Sequence, residues 1–331
     1  MTHLEIAPGD VLLFHGRGFV SWAIRKFDGT EVNHAAIALG DGKLAEAAGH
    51  GLQRASLDDA LQNNDFTIVR RLKDKTLDDV VAVANRYVTE SRPYAYQQIV
   101  LLALLATTRK IPLPPIGRRL VRSALDHAAA ALNAFLDRQG TRSMICSEFV
   151  YRCYDEAPGG PPPPYHLGIL LGGVAFGGPN GSLVDWALSK PDEELPETPA
   201  ASFGAKTAID PSAYDEVAEA NLAPLIDAYA RETGLADDDM PSATAAPSFG
   251  VDSIEDVSDD ELLSSLAGFG SALAEDQAAP AAFGVGTVLG TAAVRGAIEG
   301  IRRVSVDANF VTPGDLLRSP SLTEIGRVRN E

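Results

Sequence analysis

Ser143-Met144-Ile145-Cys146-Ser147-Glu148-Phe149-Val150-Tyr151 is the stretch around which the rest of this chain is organised. Phe149, Val150 and Cys153 follow Cys146 at helical spacing, so a short amphipathic helix opens here, with Ser143 the candidate N-cap. A cysteine in the first turn of a helix lies among N–H groups that have no intrahelical acceptor, where the dipole favours negative charge. Such placement favours the thiolate, the reactive form of cysteine. The competing reading is a buried cysteine acting as a small apolar residue, the commoner case for an isolated thiol. A base elsewhere in the chain decides between them.

The 331 residues suffice for one large domain or two ordinary ones, and 45% hydrophobic residues can furnish a core. A net charge of −17 points away from nucleic acid. The charge is uneven. Pro191 to Asp276 carries 21 Asp and Glu against Lys206 and Arg231, which leaves the remainder near neutral at +2. Cys146 and Cys153 are the two cysteines, about two helical turns apart, too far along one helix for a disulfide. No paired CxxC suggests a metal. Met1 to Glu5 lacks the basic and apolar regions of a signal peptide, and the apolar run Ile99 to Ala106 is too short to span a bilayer, so no transmembrane segment and a cytoplasmic location are expected.

Pro8-Gly9-Asp10 turns into Val11-Leu12-Leu13-Phe14, a buried-type strand. Phe19 to Phe27 is helical. Asn33 to Leu39 and Lys43 to Ala47 flank Gly40-Asp41-Gly42 as a hairpin. Phe66 to Arg70 is a third strand. Leu77 to Thr89 is a helix with Val80, Val81, Ala84 and Val88 as its stripe, followed by helices over Tyr94 to Ala106 and Arg118 to Arg138. The expected layout is a main domain over residues 1–190 and an acidic Ala/Pro/Gly-rich insertion or linker over 191–290. The insertion is read as largely disordered, with a weak helix at Tyr214 to Thr233 and recurring Phe-Gly pieces at Phe203, Phe249 and Phe283. A C-terminal segment over 291–331 packs back on the main domain. Strand pieces are expected at Val304 to Val306 and Asn309 to Val311, and a helix start with Thr312 as cap and Pro313 at its first position.

Of the six histidines, His34 alone opens a buried-type strand, where a polar group can face a cleft. Its orienting partner would be Glu46, a single carboxylate among Leu44, Ala45, Ala47 and Ala48. With a three-residue loop Gly40-Asp41-Gly42, Ala36 faces Glu46, and His34 and Glu46 project from one sheet face, diagonal to each other. A loop one residue shorter or longer puts them on opposite faces.

Pro8 to Phe14, Asn33-His34-Ala35-Ala36-Ile37-Ala38, Leu44-Ala45-Glu46-Ala47 and Ile145-Cys146-Ser147-Glu148-Phe149-Val150 together resemble the circularly permuted NlpC/P60 papain-like cysteine hydrolases of the YiiX/YebB-like group, over Ile6 to about Tyr154. The resemblance implies an α+β papain-like fold, with an antiparallel sheet packed on the Cys-bearing helix. It implies Cys146 as nucleophile, His34 as base and then acid, Glu46 as orienting residue, and no cofactor. It offers Tyr94 as a substrate-lining residue. The implied function is a cysteine hydrolase working through a thioester, an amidase or peptidase on amide-linked or N-acyl substrates.

Two alternatives accompany it. One is a lipid acylhydrolase or acyltransferase, with the apolar helix and the basic group Arg109, Lys110, Arg118, Arg119 and Arg122 beside an acyl chain or anionic membrane surface. The other is a non-catalytic scaffold whose acidic segment binds a protein partner.

Overall fold

A computed structural model describes residues 4–48, 51–90, 97–139, 144–158, 165–169, 181–197, 214–242, 256–278, 290–306 and 310–330. Strand β1 (Val11–His15) is apolar at nearly every position because it is central: β2 (His34–Gly40) pairs on one side and β5 (Phe66–Leu72) on the other. With β3 (Lys43–Ala48), β4 (Gly51–Ser56) and β6 (Leu322–Arg329), the antiparallel order is β4-β3-β2-β1-β5-β6. The architecture is mixed α and β with an antiparallel sheet, within the α+β class.

The β2–β3 turn differs from its expected form. Asp41 (φ 50°) and Gly42 (φ 66°) make a two-residue turn with Gly40 opposite Lys43, not a three-residue loop. Two consecutive positive φ values suit the twist of a tight hairpin. A bulge between Ala38 and Gly40 then adds the missing residue, so Ala38 faces Leu44 and Ala36 faces Glu46. The expected pairing in the body of the hairpin therefore holds, by a different local device.

One sheet face packs Val11, Leu13, Ala35, Ile37, Ala45 and Ile68 against α3 (Asp78–Thr89) and α6 (Cys146–Asp155). The buried stripe of α3 is Val80, Val83, Ala84 and Tyr87; Val88 packs half-buried against the same core, whereas Val81 does not join it. Tyr87 is recruited inward because its hydroxyl donates to Glu156 Oε1 at 2.6 Å. The opposite face carries Leu12, Phe14, Ala36, Leu44 and Val69 under Leu4, Ile6 and α2 (Leu57–Gln62).

A helical core adjoins the sheet. It joins α1 (Phe19–Asp28), α4 (Gln97–Thr108), α5 (Pro115–Gln139), α7 (Leu183–Leu188), α8 (Tyr214–Thr233), α9 (Asp259–Ala278) and α10 (Thr291–Val306). The helix expected over Tyr214 to Thr233 is α8, with those bounds, and α9 is a further helix within the stretch read as largely disordered. Leu222, Ile226 and Tyr229 of α8, and Leu262, Leu266 and Phe269 of α9, are fully buried. Averaged composition concealed these two apolar faces among alanine, proline and acid. The core thus joins residues on both sides of the expected boundaries. The three Phe-Gly pieces lie outside the described residues.

Charge explains the docking. Arg118 pairs with Asp259 at 2.6 Å and Arg122 with Glu261 at 2.7 Å, so the basic group on α5 meets the acidic start of α9. Glu219 of α8 accepts from the backbone N–H groups of Phe19 (2.5 Å) and Val20 (3.0 Å) at the start of α1. That helix has Gly18 as N-cap and no side-chain cap of its own. Another chain segment thus satisfies two otherwise orphaned donors.

Near the C-terminus, Val304 continues α10 instead of forming a strand, because Val294, Ile298 and Ile301 set a helical stripe upstream. Phe310 and Val311 are buried without strand pairing. Helix α11 (Pro313–Arg318) starts as expected, with Thr312 and Asp315 in a reciprocal capping box and Pro313 in its first turn. β6 then pairs with β5 along its length.

Candidate active site

His34 is the first residue of β2, and the backbone entering it is held firmly. Buried Asn33 accepts from Gly16 N at 2.7 Å through Oδ1 and donates to Ser21 Oγ at 3.0 Å through Nδ2; Ser21 Oγ donates to Gln98 Oε1 at 3.3 Å. Phe14 lies opposite His34 on β1, with ring centroids 5.6 Å apart. His34 Nε2 is 3.0 Å from Glu46 Oε2, and both side chains are about one-sixth exposed. The second carboxylate oxygen, Oε1, accepts from Gln53 Nε2 at 3.1 Å.

Cys146 is the first residue of α6 and is 1% exposed. The N-cap is Ile145, extended and without a side-chain cap, in place of the expected Ser143, which lies outside the described residues. The residues after the cysteine anchor its helix. Ser147 Oγ donates to Val311 O at 2.6 Å, Arg152 Nε donates to Glu148 Oε1 at 2.8 Å, and Tyr154 OH donates to Gly9 O at 2.5 Å. Gly9 belongs to the turn before β1, where Asp10 takes Arg71 through both oxygens at 2.6 and 2.7 Å. The helix that carries Cys146 therefore touches the turn that opens β1.

The electrostatics centre on the imidazole. Burial by itself lowers the His34 pKa, but the charge and hydrogen bond of Cys146, then those of Glu46, outweigh it and raise the pKa to about 10. Burial likewise pushes Glu46 upward, but the hydrogen bond and charge of His34 and the hydrogen bond of Gln53 bring its pKa below the usual carboxylate value. With Nε2 committed to Glu46, Nδ1 is the ring nitrogen left for the sulfur. Cys153 has no such company, and burial pushes its thiol pKa well up.

Cys146, His34 and Glu46 are thus brought together from α6, β2 and β3. Tyr94 lies outside the described residues, as do His3 and His50. The remaining described histidines have other partners: His15 meets Glu31 O at 2.7 Å, His127 meets Ser123 O at 2.8 Å, and His166 lies 3.5 Å from Asp155. Gln53 went unnoticed in the sequence because β4 did. The run Gly51-Leu52-Gln53-Arg54-Ala55-Ser56, after the glycines of Gly49-His50-Gly51, was the signal for a second hairpin. A cavity of about 390 Å³ opens beside His34, Glu46 and Gln53, walled further by Phe14, Ala60 and Asn63. Among the described residues, no three His, Cys, Asp or Glu side chains are placed to hold a metal ion. No helix among them is long and apolar enough to cross a membrane.

No family model matches the chain. A stretch of 161 residues is 32% identical to the probable lipoprotein peptidase YaeF of Escherichia coli K12, covering 47% of this chain and 58% of that protein. The chain thus spans a little over half the length of this curated relative. A solved structure of the metalloprotein yiiX from Escherichia coli O157:H7 shares 17% identity at a TM-score of 0.30, covering 51% of this chain and 75% of that one.

Proposed function

We propose that this protein is a cysteine hydrolase of the YiiX/YebB-like, permuted NlpC/P60 kind that cleaves amide bonds in peptide-like substrates. The observation that carries the reading is the half-buried imidazole held between a carboxylate at 3.0 Å and the sulfur of a helix-initial cysteine. A raised imidazole pKa is the signature of a ring that keeps its proton beside an anionic partner. The similarity to a protein named as a peptidase points the same way.

In this reading Cys146 Sγ attacks the substrate carbonyl, and the backbone N–H at the start of α6 receives the developing oxyanion. The imidazolium of His34 gives its proton to the departing amine, leaving a thioester on Cys146. Water then attacks the thioester carbon, and His34 removes a proton from that water. The products are the free acid and the regenerated thiolate–imidazolium pair. Glu46 keeps the ring oriented and stabilises its positive charge.

Two features that favoured an acyl-chain substrate have other occupants. Ile99 to Ala106 of α4 are buried on all sides, and Arg109, Arg118 and Arg122 pair with Asp28, Asp259 and Glu261. Asp259 and Glu261 of α9 likewise have partners within the chain, which weakens the scaffold alternative.

The test is alkylation of Cys146 by iodoacetamide at pH 6, located by mass spectrometry, with buried Cys153 as internal control. Wild-type protein labels Cys146 faster than a free thiol at pH 6, and His34→Ala reduces the rate at least about tenfold. Equal labelling of wild type, His34→Ala and a simple thiol would sink the proposal.

A further inference from the structure

The hydrogen-bonded chain does not stop at Glu46. Gln53 stands directly across from it on β4, and the geometry points to Gln53 as a positioning residue that holds Glu46 in the orientation His34 requires. This rests on the reading of Cys146, His34 and Glu46 as the reacting set.

A carboxylate has two oxygens, and each here receives one N–H: Oε2 from His34 at 3.0 Å, Oε1 from Gln53 at 3.1 Å. A carboxylate offers acceptors only, so the Gln53 amide must present its nitrogen, and its orientation is settled by its partner. The neighbouring residues supply no substitute. Ala45 and Ala47 flank Glu46 on β3, and Ala36 faces it on β2.

Without the Gln53 amide, the Glu46 side chain is free to turn into the cavity beside it. The Gln53 bond also favours the ionised form of Glu46, whose charge the imidazolium needs. The amide therefore does two things: it fixes which way the carboxylate points, and it keeps the carboxylate charged in a partly buried place.

The experiment follows Cys146 alkylation by iodoacetamide from pH 5 to 10 in wild type, Gln53→Met and Gln53→Glu, with His34→Ala alongside. Met keeps the length of Gln and removes the donor. Labelling at pH 7 is expected to fall about tenfold in Gln53→Met, with a melting temperature lowered by only about 2–4 °C, so the protein stays folded in the assay. In Gln53→Glu the new carboxyl and Glu46 share one proton at low pH, and the protonated partner donates as the amide did. This variant should label nearly as wild type at about pH 5 and lose reactivity as the second carboxyl ionises above about pH 6. A purely structural side chain would move neither the profile nor the difference between the two variants.

Wild-type rates and profiles in both Gln53 variants, with His34→Ala still impaired, would overturn the role of Gln53 alone. Unimpaired labelling in His34→Ala would instead remove the parent reading.

Discussion

Replacing Glu219 with alanine should destabilise the whole molecule, although the residue lies in the segment that reads from sequence as an appendage. Its carboxylate holds the N–H groups of Phe19 and Val20 at 2.5 and 3.0 Å. Gly18 provides no side chain to replace it. Loss of a helix cap costs about 0.5–2 kcal/mol. Loss of a negative charge at a helix N-terminus adds about 0.3–1 kcal/mol, so the expected total is about 1–3 kcal/mol. For proteins of 150–250 residues the melting temperature moves about 2–4 °C per kcal/mol, and taking the low end, about 2 °C, for this longer chain predicts a drop of roughly 2–6 °C.

Glu219→Gln keeps a carbonyl acceptor and loses the charge, and should show about half that shift. Thermal unfolding by circular dichroism and urea titration provide the readout. The effect of Glu219→Ala should shrink in 1 M salt only by its charge component, because the hydrogen bonds persist. An unchanged melting temperature in Glu219→Ala would refute the claim that α8 completes α1.

The stability contributed by Glu46 should depend on pH in a defined sense. Its folded pKa lies below the usual carboxylate value, so the contribution is present above the unfolded pKa of about 4.5 and disappears as pH falls through the folded one. The difference in urea midpoint between wild type and Glu46→Gln should therefore be constant at neutral pH and vanish on acidification; a difference that grows toward low pH would contradict it. At the α9–α10 crossing, a Cβ on Gly270 would lie 2.4 Å from Ala297 O. Gly270→Ala should lose about 1 kcal/mol or more in spite of alanine's better helix propensity, measured by the same urea titration.

Much of the site was legible because it is encoded locally. A thiol at the start of an amphipathic helix, a histidine at the mouth of a buried strand, and one carboxylate in an alanine-rich strand each break the pattern of their element. The hairpin register was legible through side-chain alternation, which allows only one parity to bury Ile37 and Ala45 together. The turn itself was not. Two-residue and three-residue loops share the same glycines, and the bulge at Ala38–Gly40 depends on the sheet around it.

Gln53 was within reach through the signal for the second hairpin, but Glu219 was not, because it acts on a helix start 200 positions away. Nothing in the residues near Gly18 shows that a glutamate from a distant helix will cap it. Likewise, acidic α9 looks solvated until Arg118 and Arg122 of α5 stand opposite.

The amino-acid order by itself therefore determined which polar groups stand out from the pattern of their own helix or strand and how that element presents them, since periodicity and capping act over a few residues. Only the tertiary structure decided that the Cys146 helix meets the His34–Glu46 pair, that Glu219 caps α1, and that the acidic helices belong to the core. Those outcomes depend on burial and charge pairing between segments far apart in the chain, and no local pattern carries that information.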